Sequence, residues 1–227
     1  MNYLAKDKKI AIIGGTGKEG KGLAYQWVKS GYHVIIGSRN EEKAQKAVDD
    51  LRNLIDKDFS NLEGMENTEA AKSADIIVLT VPYSAHKPTL NTLKPFLKGK
   101  PVVDVTVPLK PPKVTKVQMP PEGSALMEAK AILGDEAVLA GAFHNISYEV
   151  LLENTQGSCD VLVVGETKDI RALTLEMVAA TGLKGWDAGP IENAVVLEGL
   201  TSILIGINKK HGVHSAGIQI TGIEEVD

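Results

Sequence analysis

The sequence predicts an α/β fold: a doubly wound parallel sheet with helices on both faces and a smaller α/β C-terminal domain. Three observations carry this. Short apolar runs alternate with longer segments of helical period between Lys9 and Val107. The first run breaks into a glycine-rich turn that opens a helix. After Ala137–Phe143 the rhythm changes.

Lys9 to Ile13 is an apolar run closed by Gly14-Gly15 and reads as a buried strand. Lys18 to Ser30 reads as a helix, with Leu23, Trp27 and Val28 on one side and Gly31 as its stop. His33 to Ile36 is a second strand, followed by Gly37-Ser38-Arg39-Asn40. Glu41 to Leu54 carries Ala44, Ala47, Val48, Leu51, Leu54 and Ile55 at helical spacing, and Glu69 to Ser73 reads as a short helical turn. Asp75 to Val81 reads as the third strand, ended by Pro82. Lys87 to Leu97 reads as a helix after Pro88, bent or ended by Pro95. Pro101 to Val107 is a further strand.

Beyond it, four prolines make Leu109 to Gly123 an extended loop. Ser124 caps a helix to Leu133, and Ala137 to Phe143 is a small-residue strand. Asp160 to Val164 reads as a strand, Asp169 to Thr181 as a helix, Gly185 to Pro190 as a turn, and Ile191 to Lys210 as a long apolar helix. A soft boundary falls near Ile146 to Gln156. The expected division is 1–147 for the sheet domain and 148–227 for the small domain.

Net charge is −4, which gives no footprint for nucleic acid or a membrane surface. Cys159 is the only cysteine, so an internal disulfide and a Cys-rich zinc site are excluded, and a reducing cytoplasm is the default compartment. Met1 to Lys9 has no apolar stretch after its charges and does not read as a signal peptide. Ala194 to Ile207 is interrupted by Glu198, Thr201 and Ser202, so it reads as a buried helix rather than a membrane span. Its position near the C-terminus makes it a candidate homodimer element.

Gly15-Thr16-Gly17-Lys18-Glu19-Gly20 fits G-x-G-x-x-G between a strand and a helix, the context of a Rossmann dinucleotide turn. Gly15 serves the tight turn, Gly17 the approach of a pyrophosphate, and Gly20 close packing of helix on strand. Free N–H groups at the helix start face the phosphate charge. The second strand ends Ile36-Gly37-Ser38-Arg39, with no carboxylate for a ribose 2′-hydroxyl. Ser38 and the Arg39 donor fork suit a 2′-phosphate, with Lys43 adding charge, so the expected coenzyme is NADP rather than NAD. The competing view is a solvated turn in which Arg39 pairs with Glu41 or Glu42.

These segments, with Gly20-Lys21-Gly22-Leu23-Ala24, Leu79-Thr80-Val81-Pro82, Asp187-Ala188-Gly189-Pro190 and Glu198 with Leu200-Thr201, resemble the F420:NADP oxidoreductases over nearly the whole chain. The resemblance implies an enzyme passing hydride directly between C4 of NADP(H) and C5 of the deazaflavin coenzyme F420. It implies Thr16 to Glu19 on the pyrophosphate, and Ser38, Arg39 and Lys43 on the 2′-phosphate. Val81, Pro82 and Val107 would line the nicotinamide path, and the C-terminal domain would close over the deazaflavin. Two departures lie where the deazaflavin would sit. The family often has a proline shortly after the histidine matching His144, and Gly199 stands where its best-known members carry a hydroxyl residue.

Hydride transfer by alignment needs no nucleophile, and the sequence offers no catalytic dyad. His144 and, less strongly, Asn145 are candidate hydrogen-bond partners of the deazaflavin or the nicotinamide amide, against a structural role at the domain junction. Thr201 is a candidate cap of the deazaflavin pocket, against a bond to its own helix. The Tyr25–Lys29 and Tyr83–Lys87 pairs read as chance matches to a dehydrogenase spacing. His211 and His214 lack a third metal ligand. Lys110, Lys113 and Lys116 read first as a solvated basic loop, with the anionic F420 tail as the alternative. Two rival functions stand beside the first: an NADPH-dependent reductase of a flavin, ferric chelate or small imine or carbonyl, and an NADPH sensor without turnover.

Overall fold

The computed structural model describes residues 6–54, 60–153 and 159–223. Ile55, the stretch Asn154 to Gln156 of the expected junction, and Met1 to Ala5 lie outside them. Eight strands form one sheet in the order β3-β2-β1-β4-β5-β6-β7-β8 among the described residues. The first half is β1 (Lys9–Ile13), α1 (Lys18–Lys29), β2 (His33–Ser38), α2 (Glu41–Leu54), β3 (Leu62–Glu66), α3 (Asn67–Ser73), β4 (Ile76–Leu79) and α4 (Tyr83–Leu93). Then come β5 (Pro101–Asp104), α5 (Ala125–Leu133), β6 (Val138–Gly141), α6 (Tyr148–Glu153), β7 (Asp160–Gly165), α7 (Lys168–Ala179), β8 (Lys184–Asp187) and α8 (Ala194–His211).

All pairings are parallel except β6–β7, which is antiparallel. The central strands β1 and β4 are apolar throughout Ile10–Ile13 and Ile76–Leu79, as strands covered on both faces require. Ile10 and Ile12 of β1 enter one core layer with Leu23, Trp27, Leu51 and Met177, while Ala11 and Ile13 enter the other with Ala70, Leu90, Leu126 and Leu197. Ser124 caps α5 through Oγ, accepting from Met127 N–H at 3.0 Å, as the sequence predicts.

The structure departs from the sequence reading in several elements. Leu62–Glu66 is a strand the apolar pattern misses: it sits at the sheet edge with only Leu62 buried, and its pairing with β2 defines it. Lys184–Asp187 is a strand rather than part of a turn, because its backbone pairs with β7 despite Gly185. Tyr148–Glu153 is helical inside the expected junction. Helix α4 begins at Tyr83, before Pro88. That proline removes the N–H that would reach the Ser84 carbonyl, and Ser84 is exposed, so water can satisfy it. Finally, α8 is buried on one face only. Ala194, Leu197, Glu198, Ser202 and Leu204 face inward, whereas Val195, Val196, Ile203 and Ile207 are 41–60% exposed.

Candidate functional site

Chain order reverses between β1 and β4, the switch point where open α/β sheets place ligands. The turns leaving these strands abut: Thr80 N–H and Oγ1 both donate to the Ile13 carbonyl, at 3.0 and 3.1 Å. A Cβ on Gly14 would lie 2.6 Å from Val81 Cγ1, and Gly14 holds the positive φ of the turn at +74°. The glycines that follow have separate reasons. A Cβ at Gly15 would meet the Ile12 carbonyl at 2.7 Å, and one at Gly20 would meet Gly15 Cα at 2.6 Å. At Gly17 nothing lies closer than 3.8 Å, so the protein's own packing does not demand glycine there.

Gly17 is the N-cap of α1 and supplies no side chain, so no side chain caps the first N–H groups of the helix. Thr16, Lys18 and Glu19 surround this opening. Lys18 reaches Tyr148 Oη at 3.0 Å. Glu19 is partly exposed, yet its Oε1 is sealed from solvent without a partner, and burial pushes the carboxyl up to about 8. Asn67 Oδ1 accepts from Gly14 N–H at 3.3 Å, a support the sequence did not single out.

Ser38 closes β2 and is buried, its Oγ accepting from Asn40 N–H at 3.3 Å. Arg39 and Lys43 are exposed and join no ion pair among the described residues, so the pairing of Arg39 with Glu41 or Glu42 is not formed. Two unneutralised cations beside a buried hydroxyl form a donor set for a dianionic phosphate.

Val81 and Pro82 follow β4, and Val107 follows β5, at the same C-terminal edge of the sheet. His144 follows β6 there. Both of its ring nitrogens are buried without a hydrogen-bond partner, and burial lowers its pKa to about 4 despite an opposing effect of Asp104. The ring is therefore neutral near pH 7, with one donor and one acceptor to offer. Its backbone is fixed from three sides. Phe143 holds φ +65°, the only positive φ at a non-glycine among the described residues, and packs edge-on against Trp27 at 6.1 Å. Thr201 Oγ1 donates to the His144 carbonyl at 2.6 Å rather than to its own helix. Asn145 Nδ2 donates to the Asp160 carbonyl at 2.7 Å, so that hydrogen-bonding group is engaged within the protein.

A buried polar network beneath this edge has no signature in residue spacing. His86 of α4 meets Asp104 Oδ2 through Nε2 at 2.7 Å and Glu128 Oε1 through Nδ1 at 3.0 Å. Tyr83 donates to the other Glu128 oxygen at 3.2 Å, so its i, i+4 spacing to Lys87 reflects no pair. Burial pulls the His86 pKa down, but the charges and hydrogen bonds of Asp104 and Glu128 prevail and raise it to about 9. Burial likewise opposes ionisation of Asp104, yet His86 and the Thr106 amide, 2.9 Å from Oδ1, hold that carboxyl below its usual range. Glu198 lies inside α8 and accepts from Ala125 N–H at 2.7 Å and Leu126 N–H at 3.0 Å, capping α5 from another helix. Its burial outweighs those bonds and raises the carboxyl to about 8.

Residues 9–108 match the family model described as NADP oxidoreductase, coenzyme F420-dependent. Over 224 residues the chain is 38% identical to the F420-dependent NADP reductase of Methanothermobacter marburgensis, spanning 96% of this chain and 100% of the relative. The chain belongs to the F420-dependent NADP reductase family. The family's member in Methanocaldococcus jannaschii is 36% identical over 224 residues, covering 95% of this chain and 99% of that protein. A solved structure from Arthrobacter sp. FB24 has the same fold, with a TM-score of 0.82 and 19% identity over 95% of this chain and all of that one. Outside the reductase family, rat metalloreductase STEAP3 is 26% identical over 85% of this chain, but that match spans only 36% of its own length.

Proposed function

We propose that this protein transfers hydride directly between NADP(H) and coenzyme F420. The observation that carries the reading is His144: a neutral buried imidazole with two unused nitrogens, on the same sheet edge as the uncapped turn. Full-length similarity to reductases named for both coenzymes supports it. In this reading the backbone of Gly15 to Gly20, with Thr16, Lys18 and Glu19 around it, holds the pyrophosphate. Ser38, Arg39 and Lys43 hold the 2′-phosphate, Val81, Pro82 and Val107 flank the nicotinamide, and His144 with Thr201 bounds the deazaflavin side. NADPH supplies the hydride from C4 of its nicotinamide, the deazaflavin takes it at C5, and a solvent proton completes the reduction. The protein contributes alignment and exclusion of water.

Residues 1–147 would hold NADP and residues 148–227 would close the F420 side, in a reducing cytoplasm. The exposed Val196, Ile203 and Ile207 of α8 support burial of that face against a second copy of the chain. Light scattering of Ile203→Lys beside the unmodified protein tests this, the variant giving half the mass. Turnover is tested by mixing purified protein, NADPH and oxidised F420 and following the deazaflavin absorbance. Its steady loss supports the assignment. NADPH binding with no such loss, followed by reduction of FMN or a ferric chelate, would replace it.

A further inference from the structure

The loop from Val107 to Ser124 carries Lys110, Lys113 and Lys116, all exposed, and none is paired with a carboxylate among the described residues. In a chain of net charge −4 such a row stands out. The loop's backbone fixes the row. Lys113 N–H donates to the Lys110 carbonyl and Lys116 N–H to the Lys113 carbonyl, each at 3.1 Å, giving two successive turns. Gln118 Nε2 adds a third bond, also to the Lys113 carbonyl, at 3.1 Å.

The row is also anchored beside the site. Its N-terminal end starts three residues after Val107. At its other end Ser202 Oγ donates to the Lys116 carbonyl at 3.4 Å. The neighbouring residue on α8, Thr201, holds the His144 carbonyl. The loop lies along α8: a Cβ built on Gly199 would be in ordinary contact with Met119 Cε at 3.5 Å, and one on Gly206 with Thr115 Cβ at 3.8 Å.

We propose that Lys110, Lys113 and Lys116 form a subsite for the anionic side chain of the deazaflavin substrate, its phosphodiester and the γ-linked carboxylates beyond it. A flexible anion with charges spread along a chain suits three separate ammonium groups better than one rigid fork, because each lysine adjusts independently. The subsite rests on the function proposed above. It adds that the loop selects the tail while the sheet edge at His144 selects the ring.

The test is fluorescence titration of the protein, holding NADP+, with two ligands: F420 with its natural tail, and the same deazaflavin ending at the ribityl hydroxyl. The variant replaces all three lysines by glutamine, and its melting temperature is expected to match the unmodified protein. Three exposed charge contacts, each weak alone, are lost together, so the tailed ligand should bind about tenfold more weakly to the variant. The tail-less ligand and NADPH should bind unchanged. Raising the salt should erase the preference of the unmodified protein for the tailed form. Equal losses for both deazaflavins, no loss for either, or a loss confined to NADPH would each overturn the subsite while leaving F420 as substrate. If the unmodified protein bound neither deazaflavin, the functional reading and the subsite would fall together.

Discussion

His86 Nε2 lies 2.7 Å from Asp104 Oδ2, and both side chains are fully shielded from solvent. Asp104 ends β5 and His86 lies in the first turn of α4, so one contact joins two of the segments that build the ligand edge. A buried pair of this kind adds little net stability over an apolar substitute, but losing one partner strands the other charge.

Replacing His86 by Gln should therefore destabilise the fold by about 3–5 kcal/mol. The pH dependence follows from the raised folded-state value of His86, about 9 against 6.5. Between those values the folded protein binds more protons than the unfolded chain, so this stabilisation is complete below about 6.5 and is lost as pH rises through about 9. Melting curves of the two proteins should differ most at the acidic end of that window and converge toward its alkaline end.

Glu198→Ala should cost about 2–3 kcal/mol, because two buried amides of α5 lose their acceptor. Glu198→Gln keeps one acceptor oxygen and should recover part of the loss. Hydrogen exchange at Ala125 and Leu126 reads the effect directly. Faster exchange at both amides in the alanine variant is expected, and unchanged exchange would remove Glu198 as the cap.

Gly17→Ala and Gly20→Ala separate the demands of ligand from those of packing. An added methyl at residue 20 collides with Gly15 backbone and should cost about 1–3 kcal/mol of stability. At residue 17 the methyl would make only an ordinary contact with the Gly14 carbonyl at 3.8 Å, so the melting temperature should hold while NADPH affinity falls about tenfold, the equivalent of ~1.4 kcal/mol. Calorimetry with both variants checks the pair.

Arg39→Glu should weaken NADPH by about 30-fold, the scale of one lost charge-assisted bond of ~2 kcal/mol, and leave NADH nearly unaffected. Equal losses for the two coenzymes would move the 2′-phosphate elsewhere.

The parallel core and the phosphate turn were legible because their causes are local. Ile10 to Ile13 is apolar at every position, and Gly15, Gly17 and Gly20 have the spacing that a strand–turn–helix junction requires. Strands β3 and β8 were not, because Leu62–Glu66 and Lys184–Asp187 gain their structure from neighbours rather than from composition. The same holds within the site. Arg39 could be read from the residue it replaces, whereas His86 lies 18 residues from one carboxylate partner and 42 from the other. The family resemblance drew attention to Glu198, but its purpose became visible only when α8 met the start of α5.

The two tryptophans of the chain bracket the corner at residues 143–145. Trp27 presses its ring against Phe143, and Trp186 donates its indole N–H at 2.8 Å to Asp160, whose carbonyl holds Asn145. The molecule therefore carries a native optical gauge on either side of His144. Indole emission, quenched or shifted as the corner takes up strain, would register occupancy of that edge without any attached dye.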